Sequence, residues 1–123
     1  MRFGWMMIFL GGCALRPPVE IYVPETPRQV VQSWSDAFNN DDYSSLEQLI
    51  HPLRKGRFAQ DRHMVKDRLK TWLVHSYEMG QPVKINQKLP GMKAQLKYQD
   101  GRKNYMRDVL LVEADGRWWI WQF

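Results

Sequence analysis

An α+β domain, with amino-terminal helices packed on a curved four-stranded antiparallel sheet, is what this sequence predicts. Three observations carry the expectation. Apolar residues recur every three or four positions in the first half of the chain and every second position from Val83 onward. Asp100-Gly101 and Asp115-Gly116 each separate two alternating runs, as β-hairpin turns do. Thr26-Pro27-Arg28-Gln29 supplies an N-cap, a proline at the first helical position and a capping-box partner, opening the helical half.

The first helix places Val30, Val31, Trp34, Ala37 and Phe38 on one face and is broken by Asn39-Asn40-Asp41-Asp42. A second begins near Asp42 to Ser44, carries Leu46, Leu49 and Ile50, and stops at His51-Pro52 because a residue before proline avoids the α region. Arg54 to Gln60 reads as a polar, basic connection. A third and longest helix shows Met64, Val65, Leu69, Trp72, Leu73 and Ser76 as its buried stripe, closed by Gly80 and Pro82. The first strand then holds Val83, Ile85 and Leu89, with a turn at Pro90-Gly91. Pairing residues symmetrically about the two Asp-Gly turns sets Leu96 opposite Tyr105 and Met92 opposite Val109, then Leu111 opposite Ile120 and Glu113 opposite Trp118. One sheet face thereby collects Met92, Ala94, Leu96, Tyr98, Tyr105, Val109, Leu111, Trp118 and Ile120.

At 123 residues there is room for one small domain, and 44% apolar residues suffice for a core. The amino terminus is organised differently. Arg2, the apolar stretch Phe3 to Leu10 and the small pair Gly11-Gly12 have the three parts of a signal peptide. Eight residues reach roughly 12 Å as a helix, too short for a bilayer core of about 30 Å. Leu10-Gly11-Gly12-Cys13 resembles a bacterial lipobox, which implies cleavage between Gly12 and Cys13 and lipidation of Cys13, the only cysteine of the chain. The expected organisation is a signal peptide over 1–12, a lipidated, proline-rich spacer over 13–26, and the α+β domain over 27–123. The location this implies is the cell envelope, lipid-anchored. If the organism is Gram-negative, Ala14 after the cysteine points to the periplasmic face of the outer membrane. The formal charge is +5, from 18 Lys and Arg against 13 acids; without Arg2 it is 17 against 13, or +4. Such a balance suits anionic headgroups, whereas that location disfavours nucleic acid as a partner.

Val30-Val31-x-x-Trp34-x-x-Ala37-Phe38, Asn40-Asp41-Asp42-Tyr43 and Leu46-x-x-Leu49-Ile50-x-Pro52 resemble the opening helices of the nuclear transport factor 2-like superfamily, the cystatin-like α+β cone. Asp108 to Glu113 with Gly116-Arg117-Trp118-x-Ile120 is similar to its last hairpin. The resemblance implies the fold and leaves activity open, because this fold hosts both enzymes and binders. In its catalytic members a conical pocket holds a carboxylate or a His-Asp pair, often with a tyrosine.

Here the inner face offers Tyr98 and Tyr105 but no acid, and Asp108 has the parity of the outer face. An isomerase- or dehydratase-like enzyme using Asp108 with Tyr105 is therefore the alternative to a non-catalytic binding module. His51, His63 and His75 lack ligand spacing and read as solvated or capping residues; neither a metal nor a cofactor is expected. Arg54, Lys55, Arg57, Arg62, Lys66, Arg68 and Lys70, interrupted by Asp61 and Asp67, form a solvated face or one drawn to a polyanionic surface. On the outer sheet face Leu110, Val112, Trp119, Trp121 and Phe123 mark an expected interface, either with a second copy or with an envelope protein.

Overall fold

A computed structural model describes residues 23–123. The expected signal segment, Cys13 and the expected spacer through residue 22 lie outside the described residues. Helices come first: α1 (Pro27–Asn39), α2 (Tyr43–Leu49), a 3-10 turn (Pro52–Arg54), α3 (Lys55–Gln60) and α4 (Arg62–Thr71). Four strands follow, β1 (Trp72–Ile85), β2 (Leu89–Asp100), β3 (Lys103–Ala114) and β4 (Arg117–Gln122), in one antiparallel sheet of order β1-β2-β3-β4. The predicted α+β architecture is present.

Helix α1 starts where its capping box sits. The Thr26 hydroxyl accepts from the Gln29 N–H at 3.1 Å, and the Gln29 side chain accepts from the Thr26 N–H at 3.2 Å. Its buried face, Val30, Val31, Trp34, Ala37 and Phe38, lies on the concave face of the sheet among Leu96, Tyr98, Val109, Leu111 and Ile120. Asp42 caps α2 by accepting from the Ser45 N–H at 3.1 Å.

Four expectations are corrected. The third helix ends at Thr71, and Trp72 to Ile85 is strand. Val65, Leu69 and Trp72 fit helical spacing, but Trp72 and Val74 are buried while Leu73 is 55% exposed, the alternation of a strand. Aromatic and β-branched residues at 71–77 favour that outcome, and pairing with β2 as far as Trp72↔Asp100 secures it. Second, the basic connection Arg54 to Gln60 is mostly helical, and Phe58 within it is fully buried. Third, the β1–β2 turn is Asn86–Lys88, not Pro90-Gly91. Asn86 and Gln87 take positive φ of 52° and 62°, and Ile85 pairs with Leu89. Gly91 lies within β2, where an added Cβ would stand 2.6 Å from the Leu111 carbonyl oxygen. Fourth, the β2–β3 register is displaced by two residues, with Tyr98↔Tyr105 and Met92↔Leu111. The turn residues there are Gly101-Arg102, with Gly101 at φ 62° in the first central position, as in a type II′ turn. A shift of two preserves parity, so the predicted inner face holds. At Asp115-Gly116 both turn residues have positive φ (55° and 75°), and the expected pairs Leu111↔Ile120 and Glu113↔Trp118 form.

Both sheet edges are covered where they meet the helices. On β1, Val74 donates to Asn39 Oδ1 at 2.7 Å and its carbonyl accepts from Asn39 Nδ2 at 3.1 Å. On β4, the Ile120 carbonyl accepts from the His51 N–H at 2.9 Å. The Trp118 N–H donates at 3.0 Å to the carbonyl of Pro24, a buried residue within the stretch expected to be spacer.

Candidate functional site

The concave face of the sheet ends in a small aromatic cavity of about 40 Å³, walled by Trp34, Phe38, Trp72, Tyr98 and Phe123 with Arg68 and Arg107 among its lining. A groove of about 340 Å³ shares Arg68, Arg107 and Phe123 with it and runs past Phe58, Met64, Arg57, Arg54 and Trp121. Together they form a cleft between α3, α4 and the sheet.

Strand alternation aims Arg107 inward, between Tyr105 and Val109, opposite Leu96. Arg68 comes from the last turn of α4. Both guanidinium groups lie over the Trp72 indole, their central carbons 4.5 Å (Arg68) and 5.8 Å (Arg107) from the ring centroid. Trp72 is itself stacked on Tyr105 at 4.6 Å, with ring planes 7° apart. Arg54 donates through Nε to the Trp121 carbonyl at 3.0 Å and lies 5.3 Å from the centre of that indole. Asp61 is the one carboxylate lining the groove, and it pairs with Arg57 at 3.9 Å.

Deeper in, the Tyr98 hydroxyl accepts from the Trp34 indole N–H at 3.0 Å. Burial pushes the phenol up to about 12, offset in part by that hydrogen bond and by Arg68 and Arg107. Tyr98 thus stays neutral across physiological pH. Arg68 is held below its ordinary value by burial and then by the charge of Arg107, yet remains cationic. The cleft therefore offers positive charge and aromatic walls. It has no free carboxylate among the described residues to act as a base.

The sequence-predicted pair Asp108 and Tyr105 is not brought together. Tyr105 is on the inner face against Trp72, whereas Asp108 is on the outer face with its side chain 53% exposed. There it meets Lys93 at 3.5 Å and accepts from Gln95 Nε2 at 3.4 Å. Of the predicted outer aromatic set, Phe123 is corrected. Lying beyond the last strand residue, it turns inward against Trp34 (5.5 Å) and Phe58 (5.2 Å), where two aromatic rings replace water. Val112 is fully buried, while Leu110, Trp119 and Trp121 are half-buried. Trp119 carries the Arg117 guanidinium 3.7 Å above its ring, and His51 sits 5.6 Å and 5.2 Å from Trp119 and Trp121.

His51 is a capping residue: its Nδ1 accepts from the Leu53 N–H at 3.1 Å. His63 and His75 are exposed. No cluster of metal-ligating side chains occurs among the described residues. None of the described helices is long and apolar enough to cross a membrane. Burial lowers the His51 pKa, so the folded chain takes up that proton later than the unfolded chain on acidification. His51 therefore supports folding fully above its unfolded value of about 6.5, and this support is lost as pH falls below it. Between pH 7 and 5 the wild type is expected to lose stability in urea unfolding, and His51→Asn, an uncharged cap, to flatten that slope. A variant with the unchanged slope refutes the assignment.

The predicted basic face is divided between sites. Arg54, Arg57 and Arg68 line the cleft, whereas Arg62 and Lys66 lie 5.4 Å and 5.3 Å from the centre of the Tyr43 ring. Lys55 donates to the Glu47 carbonyl, and Lys70 is exposed. A second, broader depression of about 750 Å³ between α1, α2 and β4 carries both charge signs, Asp36 and Asp42 with Lys55 and Arg117. Arg107 was missed by sequence reasoning although its position was legible, since the parity that turns Tyr105 and Val109 inward turns Arg107 inward too. Phe58, hidden among polar residues, had no such signal.

No family model matches this chain, and no curated protein matches it. Solved structures do. A SEC-C motif containing protein from Rhodopseudomonas palustris is similar with a TM-score of 0.63 and 12% identity, over 82% of this chain and 79% of that one. A protein from Campylobacter jejuni described as an NTF2-like transpeptidase is similar with a TM-score of 0.55 and 14% identity, over 80% of this chain and 99% of that one. At such identity the likeness is one of fold, and the domain has an NTF2-like α+β fold.

Proposed function

We propose that this chain is a lipid-anchored cell-envelope protein whose cone domain is a non-catalytic binding module, with the arginine-lined cleft as its ligand site. The observation that carries the binding reading is the composition of that cleft: Arg54, Arg57, Arg68 and Arg107 face a single carboxylate, Asp61, already paired with Arg57. Acid–base chemistry of the isomerase kind needs a carboxyl or imidazole within reach of substrate in the cavity. Charge attraction and aromatic contact need only the groups that are there. The enzyme alternative loses support from the exposed, lysine-paired position of Asp108. A contact through the outer face of β3 and β4 with a second copy or an envelope protein rests on the half-buried Leu110 and Trp119, with Trp121 shared between that face and the cleft.

Anchoring rests on the sequence Leu10-Gly11-Gly12-Cys13. More than one acyl chain on Cys13 would hold the protein stably at a membrane, which a single chain does only marginally. Palmitate labelling of cells expressing the wild type and Cys13→Ala tests it. Label and membrane association are expected for the wild type, and loss of both for the variant. Equal labelling, or an unlabelled wild type retaining residues 1–12, refutes the anchor.

A further inference from the structure

We propose that Arg68 and Arg107 form a two-pronged anion site that receives a phosphate-type dianion, with the remainder of its ligand lying along the groove toward Trp121. This inference rests on reading the domain as a binder and is independent of the fate of Cys13.

Two guanidinium groups from separate rigid elements, the last turn of α4 and the middle of β3, converge on one indole. Like charges drawn together on an apolar surface repel one another, and Arg68 is half-buried. Ordinarily a carboxylate relieves such a pair. Among the described residues the ion pairs are Arg57–Asp61, His63–Asp67 and Lys93–Asp108, and none involves Arg68 or Arg107. An anion from solution would supply the missing partner.

The chemistry of that anion follows from the donors. Each arginine presents a planar fork suited to two oxygens of one group, and two forks with two charges match a tetrahedral dianion better than a singly charged, planar carboxylate. Contact with the Trp72 indole restrains the half-buried Arg68, at 4.5 Å, more than the exposed Arg107, at 5.8 Å, so less ordering is left to Arg68 on binding. Beyond the forks the groove continues between Phe58, Phe123 and Trp121, with Arg54 at its far end. Its volume, about 340 Å³, is at the small end of ligand pockets, which suits a phosphate monoester with a short body rather than a polymer. Such a group occurs both in soluble phosphate esters and in phosphatidic acid headgroups.

The experiment uses the full chain mixed with phosphatidylcholine nanodiscs, whether or not it associates with them, titrated with inorganic phosphate and with glycerol 3-phosphate and followed by tryptophan fluorescence and calorimetry. A parallel arm uses discs doped with phosphatidic acid and no added phosphate. Saturable binding in the first arm identifies a soluble phosphate as the source, tighter binding of glycerol 3-phosphate than of inorganic phosphate identifies an ester, and a response confined to doped discs identifies the headgroup. Arg68→Gln and Arg107→Gln are each expected to weaken binding roughly tenfold or more, as loss of a charge-assisted pair does. Arg107→Lys, keeping charge but not the fork, should fall between. Arg102→Gln, removing an equal charge at the exposed β2–β3 turn, should leave affinity unchanged. Arg107 is exposed, so its variants carry the test even if Arg68→Gln does not fold. No saturable response in either arm, or equal weakening by Arg102→Gln, overturns the site.

Discussion

Trp34→Ala is expected to cost about 3–5 kcal/mol, a large share of the roughly 5–15 kcal/mol by which a small domain is stable. Trp34 is 1% exposed and is the point at which α1, α3 and the sheet meet. Its ring centre lies 6.5 Å from Phe38, 6.3 Å from Phe58 and 5.5 Å from Phe123. Removing the indole leaves a cavity and also strands the Tyr98 hydroxyl, which loses its donor. Trp34→Phe separates the two losses, since it keeps most of the ring packing and removes only the N–H. That variant should lose about 1–3 kcal/mol, the cost of leaving a buried polar group without its partner. Its Tyr98 phenol should titrate higher than in the wild type, because the hydrogen bond from Trp34 lowers that pKa. Denaturant unfolding and alkaline absorbance titration measure both quantities. A Trp34→Ala chain within about 1 kcal/mol of wild type is incompatible with a core centred on this residue.

Helix α1 was legible because two independent signals coincide, the Thr26/Gln29 capping box and the spacing of Val30, Val31, Trp34, Ala37 and Phe38. The last hairpin was legible for a similar reason, as Asp115-Gly116 adopts the turn that its residue types favour. Strand β1 was not. Leu69 and Trp72 satisfy helical spacing, and what decides for strand is the pairing with β2, Trp72 with the distant Asp100, a contact that no local window contains. The β2–β3 register shows the same limit on a smaller scale, because Asp100-Gly101 and Gly101-Arg102 are both acceptable turns and only strand pairing chooses. For the cleft, Tyr98, Tyr105 and Arg107 follow from parity. Their meeting with Arg68, Arg54 and Phe58 depends on how short helices pack, which periodicity does not encode. The segment Leu10-Gly11-Gly12-Cys13 is the reverse case: its likeness to a lipobox is an expectation carried by the sequence alone.

Phe58→Ala should destabilise the domain by about 3–5 kcal/mol and disturb the cleft that it lines. Phe58 is fully buried although five of the six residues of α3 are not. It stacks on Tyr43 at 5.2 Å and meets Phe123 and Trp34 edge-on. A helix of six residues has little stability of its own, so this one ring is what fixes α3, and with it Arg57, against the sheet. Phe58→Leu, retaining apolar volume, should recover much of the loss. In a double-mutant cycle with Phe123→Ala, the two rings should show a coupling of about 0.5–1.5 kcal/mol, as neighbouring aromatic pairs do. Strict additivity within about 0.3 kcal/mol would mean that Phe123 is not seated on Phe58 in solution, and the inward turn of the chain end would then be wrong.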